Sequence, residues 1–260
     1  MCVYQPKFMR HFLVFSFLNV SLLALEIESL NHAVDVAGKQ RMFTQRMLKD
    51  YAMIGMENSF GNPAEDLNQT MEAFENHLLS LAEYTDKANI VQAAKKVERL
   101  WGPIKEILLE PPKKSKVVKL QADLDALLKA SDRLTKLFAD ATGEHSGEII
   151  NISGRQRMLS QRMAGLYMLK AWGIEDKNFE KKMNDAMSLF KRSLQRLKAS
   201  ELNNQEINQL LNHVEKSFMF FEVMGASTHT FIPTLIYKKS NDILKNMNRA
   251  THLYVVVSKK

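Results

Sequence analysis

Cysteine is almost missing: the one thiol in 260 residues, Cys2, excludes a disulfide framework and any cysteine-rich zinc site. Glycine (10) and proline (6) are too scarce for the many turns of a β-sandwich, and no alternating apolar run long enough for a strand occurs. The seven histidines show no HxxxH or HExxH spacing, so a histidine metal site is not expected. A copper site would need denser Met-x-x-Met clusters than Met42, Met47, Met53 and Met56 provide; these read as core filler. Without a glycine-rich phosphate loop or a GxSxG nucleophile elbow, no enzyme and no cofactor are expected. Neither charge dominates: 36 Lys+Arg against 29 Asp+Glu leaves +7. Basic residues lie among acidic ones, which disfavours nucleic acid as a partner.

Only one long apolar run is present. Lys7 and Arg10 precede His11–Leu25, a basic start followed by a stretch too short for the roughly 20 residues of a membrane span. Residues 1–25 therefore read as a signal peptide, or alternatively as an uncleaved N-terminal anchor. Either way the remainder is expected in the periplasm or outside the cell. Cleavage would leave a thiol-free chain near +5.

The rest is a tandem repeat. Shifting by 116 residues lays GKQRMFTQRM (38–47) on GRQRMLSQRM (154–163), with seven of ten positions identical. The offset persists through Asn68/Asn184, Phe74/Phe190, Leu78/Leu194 and Leu81/Leu197, and becomes 117 where VERLW (97–101) meets VEKSF (214–218). ASDRL (130–134) is aligned with KSNDI (239–243) at 109, which gives copy one the longer loop, around Pro111-Pro112. Apolar residues recur every three to four positions, predicting a first helix over about 29–58, a second starting at 62, and others over 89–110 and 116–141, then 149–172, one starting near 176, 203–224 and 232–256. Asn62 is expected to cap the second helix ahead of Pro63 and Glu65, and Gly102-Pro103 to kink or interrupt the third. The predicted fold is all-α: two tandem antiparallel four-helix bundles, residues 26–143 and 148–260.

On a helical wheel, Val34, Gly38, Arg41, Gln45, Leu48 and Ala52 form one heptad seam. Copy two repeats it as Ile150, Gly154, Arg157, Gln161, Ala164 and Met168. Val36, Phe43, Met47 and Ile54 form a second seam for the bundle's own core. An arginine at a seam position is costly unless its charge is compensated. Arg41 and Arg157 could pair with acidic residues of neighbouring helices. However, no acidic residue lies on the strip, and a guanidinium suits bidentate oxyanion binding. Because an up-down-up-down bundle has both ends together, unit two begins where unit one began, and the two first helices can meet in parallel. The expectation is that Arg41 and Arg157 converge on one small anion, with Gly38 and Gly154 making room and Gln45 and Gln161 alongside. Were the 143–147 link helical instead, each strip would need a partner chain, giving a homodimer. Lys39/Arg155 and Arg46/Arg162 point away and are expected to ion-pair or face solvent.

AGKQRMFTQRM (37–47) and SGRQRMLSQRM (153–163) resemble the P-box of nitrate/nitrite sensor histidine kinases. That box belongs to a periplasmic domain shared with PilJ-type methyl-accepting chemotaxis transducers, and the resemblance spans about 29–256. It implies a four-helix bundle that dimerises through its first helix. It also implies that Arg41 and Arg157 hold nitrate or nitrite, with no metal. No HAMP linker, kinase or methyl-accepting region occurs in the 260 residues. The expectation is a sensory module without its own transmitter, working with a membrane receptor or kinase. The alternative is a helical adaptor that binds no ligand.

Overall fold

The computed structural model describes residues 25–143, 145–225 and 231–258. The segment expected to be a signal peptide lies outside them except for Leu25, as does Cys2. Eight helices and no strand occur among the described residues: α1 Leu30–Gly55, α2 Pro63–Glu83, α3 Ala88–Leu109, α4 Lys114–Thr142, α5 His145–Ala171, α6 Phe179–Lys198, α7 Gln205–Gly225 and α8 Pro233–Val257. Each predicted helix is present, with ends shifted by a few residues. The all-α expectation holds.

Local chemistry explains most of the boundaries. Ser29 caps α1 by accepting the His32 amide at 3.1 Å. Gly143 ends α4 with φ 65°, a left-handed conformation that glycine adopts freely. Asn62 departs from expectation: it too is left-handed, its side chain makes no cap, and Glu65 instead accepts from Gln69. Helix α3 is not interrupted: it continues through Pro103. Gly102 has no Cβ to clash with the proline ring, so the pre-proline residue keeps its helical conformation.

Helices α1–α4 pack on one another, as do α5–α8, and the most extensive contact in the chain joins α1 to α5. Twenty of the 26 residues of α1 are buried, so it is a central helix and not an amphipathic surface one. The two aromatic cores are built alike. Phe74 packs on Trp101 with ring centroids 4.6 Å apart, and Phe190 on Phe218 at 4.5 Å. Gln40 donates to the Phe74 carbonyl and Gln156 to the Phe190 carbonyl, at 2.9 and 3.0 Å.

The fourth helices correct the sequence alignment. Thr135 donates to the Ser131 carbonyl and Thr251 to that of Met247, so α4 and α8 correspond at an offset of 116, not 109. Asp132 is thus the counterpart of Asn248, and Arg133 of Arg249. With VERLW and VEKSF at 117, the stretch between the third and fourth helices then differs between the copies by one residue and not by eight, so copy one has no long extra loop.

Candidate anion-binding site

Helices α1 and α5 run parallel and nearly in register. Asn31 donates to Ser146 near their starts, and Lys49 to Gln161 about five turns further on. Between these points the two seam glycines, Gly38 and Gly154, face each other. A Cβ placed on Gly154 would lie 3.7 Å from the Gly38 Cα, 3.1 Å from Arg157 Nη2 and 3.2 Å from Arg41 Nη2. A Cβ on Gly38 would likewise lie 3.2 Å from Arg157 Nη2 and 3.4 Å from Arg41 Nη2. Mid-helix glycine costs roughly 1 kcal/mol relative to alanine. Here its small size is what lets two guanidinium groups share one gap. Arg41, Arg157, Gly38 and Gly154 therefore meet within one chain, by way of a turn at Gly143 and not a continuous α4–α5 helix.

Both arginines are fully buried, and the acidic partners that the strip lacks come from elsewhere. Arg41 Nη1 lies 2.8 Å from Asp132 on α4 and donates at 2.8 Å to Asn151 Oδ1 on α5, while Nη2 donates to the Asn151 carbonyl at 3.1 Å. Arg157 Nη1 lies 2.7 Å from Asp35 on α1 and 3.2 Å from Asn248 Oδ1 on α8, and Nη2 donates to the Asp35 carbonyl at 3.3 Å. The two cradles are related by the same 116-residue shift, with one aspartate and one asparagine exchanged. Neither Nε–H finds a hydrogen-bond partner among the described residues, although both are buried.

Burial draws the Arg41 pKa down to about 10. Asp132 opposes the shift, while Arg155 and Arg157 add to it. Arg41 remains a cation at neutral pH. Burial pushes the Asp35 carboxyl up, yet Arg157 and Lys39 more than reverse this and hold it below its ordinary range. Asp132 is lowered in the same way, by Arg41 and Lys136.

The glutamines sit one turn along and bind other groups. Gln45 Oε1 accepts from Arg162 at 3.2 Å, and Gln161 Oε1 from Lys49 at 2.9 Å. Of the four basic residues expected to ion-pair or face solvent, three form ion pairs: Lys39 with Asp35, Arg46 with Asp66, and Arg162, which also reaches Gln45 on the strip, with Asp125.

A second polar cluster, centred on Lys49 and Asp50 of copy one, takes further members from copy two. Lys49 is buried. Its Nζ donates to Gln161 and Asn241, lies 3.5 Å from Asp50 Oδ1, and sits 4.1 Å from the centre of the Tyr237 ring. Asp50 is equally buried, and neither of its oxygens accepts a hydrogen bond among the described residues. Burial, reinforced by Asp66 and only partly offset by Lys49 and Arg46, raises its pKa to about 8. The repeat counterparts of Lys49 and Asp50 are Gly165 and Leu166.

Sequence reasoning missed Asp35, Asp132, Asn151 and Asn248. Placing the fourth helices at 116, as Arg133/Arg249 permits, would have shown the exchanged Asp/Asn pairs.

Among known types, this is an all-helical bundle protein whose duplicated first helices bury a pair of arginines. Residues 23–134 and 139–216 match the PilJ family, described as Type IV pili methyl-accepting chemotaxis transducer N-term, and the chain belongs to that family. It is a family of transducer sensory regions and not of enzymes. No curated protein matches the chain. No solved structure matches it either. No helix among the described residues is long and apolar enough to cross a membrane.

Proposed function

We propose that the chain is an exported sensory module that binds one small oxyanion, such as nitrate or nitrite, between Arg41 and Arg157. In this reading two sensor units, 26–143 and 148–260, form one site and pass its occupancy to a membrane receptor or kinase. One observation carries the reading: two fully buried guanidinium groups meet beside Gly38 and Gly154, each with an Nε–H donor that no group among the described residues accepts. A buried donor without an acceptor costs about 1–3 kcal/mol, and a planar oxyanion offers acceptors for several at once. Since the arginines have no solvent exposure, the anion enters only when α1, α5 and their neighbours move apart. A link between ligand binding and helix movement follows, as a sensor requires.

The second reading is a helical adaptor that binds no ligand. It is favoured by the fact that Asp132 and Asp35 already neutralise the two arginines. Thermal unfolding separates the two. A site saturated at 100 times its Kd gains about 2.7 kcal/mol. Nitrate or nitrite should raise Tm for the intact chain but not for Arg41→Ala or Arg157→Ala. An unchanged Tm of the intact chain across small oxyanions selects the adaptor.

A further inference from the structure

The Asp/Asn exchange between the repeats has a use of its own. Each arginine is held by a side chain from the fourth helix of its own copy and by one from the first helix of the other copy. Arg41 takes Asp132 from its own copy and Asn151 from the other; Arg157 takes Asn248 from its own copy and Asp35 from the other. Copy one thus carries both aspartates and copy two both asparagines. In the observed pairing every buried arginine meets one carboxylate, and the four-residue centre is neutral.

Like-with-like pairing does not balance. Two facing first copies would give each arginine two carboxylates, leaving the buried centre at about −2. Two facing second copies would give each arginine two asparagines, leaving it at about +2. Buried uncompensated charge is among the costliest defects a helix interface can carry. Lys39 and Lys136 also touch these aspartates, but they are partly exposed and screened by solvent.

We propose that this division of charge specifies the partner: the α1 face fits the α5 face of its own chain and rejects a second copy of itself. The four positions thereby suppress homodimers through equivalent first helices and keep the site within one chain. The inference does not depend on whether an anion binds.

Four double variants of the full chain test it, all with the wild-type net charge. Asp35→Asn/Asn248→Asp and Asp132→Asn/Asn151→Asp keep one carboxylate per arginine. Asp35→Asn/Asn151→Asp and Asp132→Asn/Asn248→Asp place two carboxylates on one arginine and none on the other. Each single substitution occurs once in either class, so effects peculiar to one position cancel in the comparison. The balanced pair should melt close to the wild type and the unbalanced pair lower by more than about 5 °C. In the unbalanced pair, like-with-like pairing has become the neutral arrangement. Light scattering should therefore show a larger dimer fraction than for the wild type. Equal melting in the two classes overturns the proposal. If the unbalanced pair melts lower but forms no more dimer than the wild type, the rejection of a second copy is overturned. An unbalanced variant that fails to fold while its balanced counterparts fold is the same result in extreme form.

Discussion

Asp35 and Asp132 each pair with a buried arginine, but in different surroundings, and the difference can be measured. The Asp35 side chain is 9% exposed and faces a wholly buried Arg157, whereas Asp132 is 28% exposed. Removing one partner of a buried pair costs about 3–5 kcal/mol. Asp35→Asn should lose an amount in that range at neutral pH, and Asp132→Asn less, as read by urea unfolding. Both carboxyls titrate below their ordinary range, so their contribution is present above the unfolded pKa near 4 and disappears as pH falls through the lower folded value. Asp50 behaves in the opposite sense. Its folded pKa is about 8 against an ordinary 3.8, so between these values the folded chain holds a proton that the unfolded chain has released. Stability therefore falls as pH rises through this window. Asp50→Asn should raise Tm more at pH near 8 than at pH near 5; an equal gain at both would mean that Asp50 is not protonated in the folded state.

At the level of elements, α1 and α5 were the most legible parts of the chain. Their heptad strip showed which face meets the other helix, and the glycines on it showed where the backbones approach. The carboxylates were not legible, for a physical reason: they lie off the strip, Asp35 one residue past a seam position and Asp132 on a different helix. Periodicity reports which face of a helix is buried, not which polar groups a distant helix contributes. Lys49 and Asp50 escaped for the same reason, since α1 is central and buries residues on nearly every face. Continuity at Pro103 was also hidden, because Gly102-Pro103 reads as two helix breakers in a row, although the missing Cβ of Gly102 removes one clash with the proline ring. The helix contacts offer a test of their own. Gly55, in the last turn of α1, has the Trp172 ring where a Cβ would be. Gly55→Ala should cost about 1–3 kcal/mol of stability by calorimetry, the usual cost of overpacking.

For the whole molecule, duplication turns what would be an interface between two chains into an internal one. The +7 of the sequence says little about this, because the charges that matter are two arginines and two aspartates that sum to zero. That balance separates the two readings of function. A neutral centre is stable without a ligand, as an adaptor requires. The anion-binding reading requires Asp35 or Asp132 to release its arginine, and each has a second cation, Lys39 or Lys136, within 3.2 and 2.7 Å respectively. Isothermal titration of the intact chain with nitrate or nitrite is the most direct test. The account predicts one anion bound per chain, with binding lost in both Arg41→Ala and Arg157→Ala variants that still fold. Binding that survives either substitution, or no binding of any small oxyanion, would contradict it.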